Sequence, residues 1–173
     1  MKISSWLWVS ALVCIVNVGT ASPTCAQNRI AVAGWQGFAV RDPENKFDSC
    51  VLYNRTIEQL TISPYEMLGI SRTANGDVGL LVFFTPGALT READVPVNLK
   101  VDAHPLPTLS GVAKSDFHVS IAGPLGPNEL AALRGAKEIE ATAENKTITF
   151  TVADIGAALD TLDECVKRYA GER

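Results

Sequence analysis

The chain has two histidines, His104 and His118. Imidazole is the side chain that titrates near neutral pH and the commonest metal ligand. His104 lies in "VDAHPLPTL", two residues after Asp102, a spacing at which a carboxylate and an imidazole can share a metal ion or a proton. Zinc wants three or four ligands, and no further donors converge on this pair in the sequence, so neither a metal nor another cofactor is expected. His118 alternates with Phe117, Val119 and Ile121 in "DFHVSIA", which puts it on the opposite, solvated face of a strand.

Nucleophiles and acids read in the same restrained way. Ser71 in "GISRT" is not framed as Gly-x-Ser-x-Gly and leads into a hairpin rather than a helix. Ser110 in "TLSGV" has no motif around it. Asp160, Asp163 and Glu164 fall on the outer side of the last helix, and Glu138, Glu140 and Glu144 turn outward. "GPLGP" (residues 123–127) lacks the lysine of a phosphate loop. Triads are defined by geometry and not by sequence neighbours, so a hydrolase with dispersed residues stays open, with His104 and Asp102 as its first members. Trp35 and Phe38 have two readings, a docking surface or a first strand packing into the core.

The elements that would position these residues are mostly strands. "DVPVNLKVDA" places Val95, Val97, Leu99 and Val101 on one face, and Pro96 predicts an edge or a strand start. "KTITFTV" directs Ile148, Phe150 and Val152 inward and Thr147, Thr149 and Thr151 outward. "KEIEATA" precedes it across a Glu144-Asn145 turn. "VGLLVFF" is apolar on both faces and reads as a central strand. Asn75-Gly76 before it is the pair favoured in tight hairpins, where both central positions take positive φ. "FDSCVLY" is a further strand. Pro127 and Gly135 bracket a short helix. A longer one runs from about Ala153 to Tyr169 with an apolar stripe of Ile155, Ala158, Leu159, Leu162, Val166 and Tyr169, and Cys165 at its margin.

The first 26 residues have the three-part layout of a secretory signal peptide: Lys2, an apolar run from Trp6 to Val18, then small and polar residues. The run is too short to span a bilayer, which takes about 20 residues. Cleavage fits after Ala21 or after Ala26, and a lipidated Cys25 is a third possibility. Cutting after Ala26 removes Cys14 and Cys25 and leaves Cys50 and Cys165 as an even pair, expected to form a disulfide in an oxidising compartment. Residues 27–173 then form one domain. With net charge −4 and no basic cluster, neither nucleic acid nor electrostatic attachment to anionic lipid is expected.

Taken together, the early Trp35, a strand ending in "DSC", the strand "VPVNLKVDAHPLP" and the closing "TITFTVADIGAALDTLDECV" resemble small exported proteins of alphaproteobacteria that include the invasion-associated locus B family. The resemblance implies a periplasmic or surface-exposed protein connected with host interaction, without catalytic residues to carry over.

The expected fold is mainly β within an α+β class. It is an antiparallel sandwich or bent sheet of about seven to eight strands with the C-terminal helix packed on it. The expected function is a non-catalytic, exported binding protein, monomeric or weakly dimeric, whose partner is a protein or a cell-surface component. His104, Pro105, Leu106 and Trp35 are the candidate contact residues. A periplasmic hydrolase, and an enzyme inhibitor acting through the "DAHPLPTL" loop, are the alternatives.

Overall fold

A computed structural model describes residues 29–56, 58–59, 65–121 and 125–171. The signal-peptide segment, with both cleavage positions, Cys14 and Cys25, lies outside the described residues, as does part of the "GPLGP" stretch.

The alternating segments become strands: β1 (Arg29–Val32), β2 (Trp35–Arg41), β3 (Phe47–Tyr53), β4 (Met67–Thr73), β5 (Val78–Phe83), β6 (Asp94–Val101), β7 (His104–Pro105), β8 (Leu109–Ala113), β9 (His118–Ile121), β10 (Glu138–Ala143) and β11 (Lys146–Thr151). The helices whose bounds lie within the described residues are α1 (Pro127–Arg134) and α2 (Ile155–Tyr169), and Glu58 and Gln59 are helical as well. The strands form one antiparallel sheet in the order β1-β2-β3-β4-β5-β9-β8-β6-β10-β11, with β7 pairing on β6. It is a single open sheet of eleven strands, not a two-sheet sandwich and not seven or eight strands. The additional strands are short or contain small residues. β1 has four residues and β7 two, below the length at which alternation shows. β8 is "LSGVA", where Gly111 replaces the side chain that would mark the face. A Cβ on Gly111 would stand 2.5 Å from Val119 Cγ1, so close cross-strand packing requires the gap in the pattern.

β6 carries the predicted alternation, with Val95, Val97, Leu99 and Val101 buried and the residues between them exposed. It is not an edge, however. Its first half pairs with β8 and its second half with β10 and β7. Pro96 is tolerated for a local reason. The Leu106 amide donates to the Leu99 carbonyl, so odd positions of β6 turn their backbone groups toward β7 and β8. Even positions, Pro96 included, face the β10 side. There pairing begins only at Asn98, so the missing N–H removes no ladder bond.

The turns follow residue chemistry. Glu144 and Asn145 both have positive φ (44° and 72°), as a two-residue hairpin connection requires. In the 73–77 turn only Gly76 does, at 89°. Gly76 N donates to Thr73 O and Thr73 N to Asp77 O, a longer turn with its glycine in the left-handed position and not the expected two-residue one. The β6–β7 turn places Asp102 and Ala103 at φ 47° and 69°.

α2 begins at Ile155, two residues after the expected start, and ends at Tyr169 as expected. Asp154 caps it, its carboxylate accepting from Ala157 N at 2.9 Å, and Lys167 and Arg168 occupy its last turn in accord with the helix dipole. Its buried residues are Ile155, Ala158, Leu159, Leu162, Cys165 and Tyr169. Cys165 belongs to the stripe rather than to its margin, and Val166 is only half-buried. The helix packs on β1, β2, β3 and β4. Cys165 is bonded to Cys50 on β3 across 115 residues, with Cα atoms 6.3 Å apart. Beside it Arg72 Nε meets Asp163 Oδ1 at 2.6 Å, and the Phe47 and Tyr169 rings stack. The expected solvated role of Asp163 is thereby corrected: it ties the helix to β4. Glu144 is also engaged, accepting from Thr90 N and Oγ1. At the other end Trp35, 1% exposed, donates its indole N–H to Ala153 O at 2.6 Å, drawing the start of β2 to the segment after β11.

Replacing Cys50 and Cys165 together by serine should keep the fold and lower its stability by about 2–5 kcal/mol, the usual cost of losing a native bridge. Urea unfolding followed by tryptophan fluorescence measures it. Reducing the wild-type chain should bring its midpoint close to that of the double variant, and an unchanged midpoint in both would show that the bridge contributes nothing.

Candidate binding face

Cross-strand register assigns each residue to one of two faces. Gly37, Leu52, Ile70, Leu80 and Ile121 are linked pairwise across the strands, and apart from the glycine they belong to the hydrophobic core with Cys50 and the α2 stripe. The opposite, outer face contains Phe38 opposite Val51, Tyr53 opposite Gly69, Gly69 opposite Leu81, and Phe83 opposite both Met67 and His118. Val51, Met67 and Phe83 are buried although they lie outside the main core. Aromatic side chains on this face do the covering.

The rings form a continuous row. Phe38 and Tyr53 lie 6.3 Å apart between centroids, Tyr53 and Phe83 6.1 Å, Phe83 and Phe117 6.4 Å, and Phe117 and Tyr65 4.9 Å edge-to-face. The His118 imidazole stacks on Phe83 at 4.1 Å and 6°. Gly69 makes the row possible. A Cβ there would come within 2.9 Å of the Tyr53 ring and 3.1 Å of Leu81 Cβ, so the ring rests on the bare backbone of β4. Phe38, at the β2 end, is the large hydrophobic residue left exposed, at 37%.

Burial sets the electrostatics of the row. It pushes the Tyr53 hydroxyl pKa up. It pushes His118 down to about 4, with Lys114 adding to the effect. Imidazole Nε2 of His118 is buried and has no hydrogen-bond partner among the described residues. The 114–118 turn that carries His118 is held from two sides. Ser115 Oγ accepts from the amides of Phe117 and His118, and Phe84 N donates to Phe117 O at 2.6 Å.

His118 is therefore on the face that alternation predicts, but under Phe83 rather than in water. Phe117 does not share the inward direction of Val119, because the strand begins only at His118 and the bend before it turns Phe117 to the outer row. Tyr65, Tyr53, Phe83 and Phe117 are the residues that sequence reasoning left out of the candidate set. The signal for them was parity: Tyr53 is three residues from Cys50, and Phe83 three from Leu80, so each pair falls on opposite faces.

The residues expected to make contacts occupy different surroundings. Trp35 is core, so of the two early aromatics only Phe38 reaches the surface. His104 and Pro105 are exposed on β7, while Leu106 is partly buried against the core. Asp102 is engaged by backbone amides. Its Oδ1 accepts from Lys137 N and Glu138 N at 3.0 and 2.9 Å, bonds that hold its carboxyl below the usual range and fasten the β6–β7 turn to β10. Among the described residues no group of three or more His, Cys, Asp or Glu is placed to hold a metal, and no helix is long and apolar enough to cross a membrane.

The His118 position makes stability depend on pH. Above pH 6.5 the imidazole is neutral in both folded and unfolded chains and contributes no slope. Below it the unfolded chain takes up a proton that the folded chain refuses until about pH 4, so stability falls as pH drops through that window. His118→Gln should flatten the upper part of this fall, before the carboxylates titrate, as read from urea midpoints across the window. A slope identical to wild type would place the proton uptake elsewhere.

Comparison with solved structures finds similar chains, one of which is set beside this fold. The chain is similar to invasion associated protein B from Bartonella henselae, with 18% sequence identity, coverage of 81% of this chain and 95% of that one, and a TM-score of 0.48. No protein-family model matches the chain, and no curated protein matches it. That crystal structure is of a protein in the group which the sequence elements of this chain loosely resemble.

Proposed function

We propose that this is an exported, non-catalytic binding protein of the cell envelope, a single domain over residues 27–173, which engages a protein or cell-surface partner through the outer aromatic face. The observation that carries the reading is Phe38: a large hydrophobic ring exposed at the end of a continuous aromatic row, on β2, which pairs with the disulfide-bonded strand β3. Interfaces are built around such aromatic anchors, with near-neutral contacts around them. Export is supported by the Cys50–Cys165 bridge, since disulfides persist in oxidising compartments, and by the leader-like first 26 residues.

A second reading keeps the β6–β7 hairpin as the contact element of an inhibitor. It is favoured by the exposure of His104 and Pro105 on a turn fixed through Asp102. The two readings place the binding energy on different surfaces.

Crosslinked capture from whole envelopes separates them. The bait is the protein itself, Phe38→Asp, or a variant with residues 104–108 replaced by a Gly/Ser linker. The aromatic-face reading expects one reproducible partner retained by the linker variant and lost, at least tenfold, by Phe38→Asp, the order of effect of removing a hot-spot residue. Loss in the linker variant alone moves the site to the hairpin. If a substrate is turned over and His104→Ala abolishes the activity with the fold intact, the protein is a hydrolase and the binding reading falls.

A further inference from the structure

β11 ends the sheet, and apart from Lys146 at its start it carries no proline, bulge or inward charge to block its free side. The strand pairs with β10 in unbroken register from Lys146 to Thr151, without a bulge or a proline. The side chains that point inward from it, Ile148 and Phe150, are apolar. Exposed edges are ordinarily blunted by prolines, bulges or inward charges, because their unpaired amides and carbonyls template another strand.

The orientation of its backbone follows from one bond. Val152 N donates to Lys137 O, so even-numbered residues turn their amides and carbonyls toward β10, and Thr147, Thr149 and Thr151 turn theirs outward. Among the described residues those outward groups have no backbone partner. The hairpin turn beneath them is pinned, since Glu144 accepts from Thr90 N and Oγ1. The other end is held where Trp35 binds Ala153, beyond the last outward residue.

We infer that the free edge of β11 pairs with β11 of a second copy of this chain, antiparallel and centred on Thr149. The occupant is chosen by self-complementarity. Residues 147–151 read Thr-Ile-Thr-Phe-Thr, which has the same polar and apolar order in both directions. A two-fold axis at Thr149 sets Thr147 against Thr151, Thr149 against Thr149, and Ile148 against Phe150. Each outward residue then exchanges both of its backbone bonds with its opposite number. Threonine pairs line the exposed face, a favourable cross-strand combination, and the half-buried Ile148 gains cover on the other. Within residues 146–152 no like charges face each other. Lys146 falls opposite Val152 of the second copy, toward the end where Asp154 begins α2. Such a contact is isologous and closes at two copies; being small, it belongs with weak, concentration-dependent interfaces.

The test is sedimentation equilibrium of the full chain over a wide concentration range, with two variants at the centre. Thr149→Pro removes an amide that faces outward, so the β10 ladder is retained. Thr149→Lys places like charges directly opposite each other across the axis. The pairing predicts a reversible monomer–dimer equilibrium for the wild type, weakened at least tenfold in both variants while circular dichroism and unfolding midpoints stay near wild type. A register check does not depend on either variant folding. Thr149→Cys should crosslink rapidly between copies, since opposed residues of this kind lie about 5.5 Å apart between Cα atoms, within disulfide reach. Thr142→Cys, on the same face but one strand inside the edge, should not. A wild-type chain that remains monomeric at every concentration, a dimer indifferent to both substitutions, or equal crosslinking at 149 and 142 would overturn the inference.

Discussion

Fastening α2 to the inner face of β3 and β4 is the constraint from which the rest of this molecule follows. The Cys50–Cys165 bond closes a loop of 115 residues, which contains most of the sheet. The Arg72–Asp163 pair and the Phe47–Tyr169 stack flank it, so three contacts of different kind hold one helix at one angle. The bond acts chiefly by shrinking the unfolded ensemble, whereas the ion pair and the ring stack select the register of helix on sheet. With α2 on the inner face, the rings on the outer face of β2 to β5 pack on one another and on the strand backbone. That is why glycine stands at position 69, where a ring must lie flat against backbone.

The continuity of the sheet has a comparable origin. β6 serves two sets of partners along its length, β8 first and then β10 with β7. A strand that changes neighbours halfway joins the two groups of strands while keeping its buried side continuous, because alternation is preserved from Val95 to Val101. The Trp35–Ala153 hydrogen bond then draws the region after β11 toward the start of β2. One core results, with contributions from both ends of the chain.

What could be read from the sequence was what period and parity encode. The β6, β10 and β11 alternations, both helices, the bridge and the face of His118 were legible because each is local or is dictated by a count of cysteines. Three things were not. Short strands carry too few residues for a period, and Gly111 erases the one that β8 would have shown. Pro96 reports only that one amide has no ladder partner, and β6 satisfies that in the sheet interior because β10 stops short of it. The outer aromatic row depends on registers between five strands, so Phe38, Tyr53 and Phe83 look unrelated at separations of 15 and 30 residues. Of the two readings of Trp35, the structure has the one that packs it into the core: the ring is buried, and its N–H donates to Ala153 O, 118 residues away.

His118 shows how the outer face differs from an ordinary core. A phenylalanine at this position would stack on Phe83 equally well without a polar atom to bury. The imidazole instead holds Nε2 away from water with no partner among the described residues, and a buried unpaired polar group costs about 1–3 kcal/mol. At the opposite end of the same row, Phe38 leaves apolar area in water, at about 25 cal/mol for each Å². Both features are unfavourable for the isolated chain, and neither is needed to hold the sheet, since the inner core and the bridge do that. Nε2 is already shut off from solvent, so its cost belongs to the folding of the face itself, whereas the Phe38 area would be recovered by anything laid across the row.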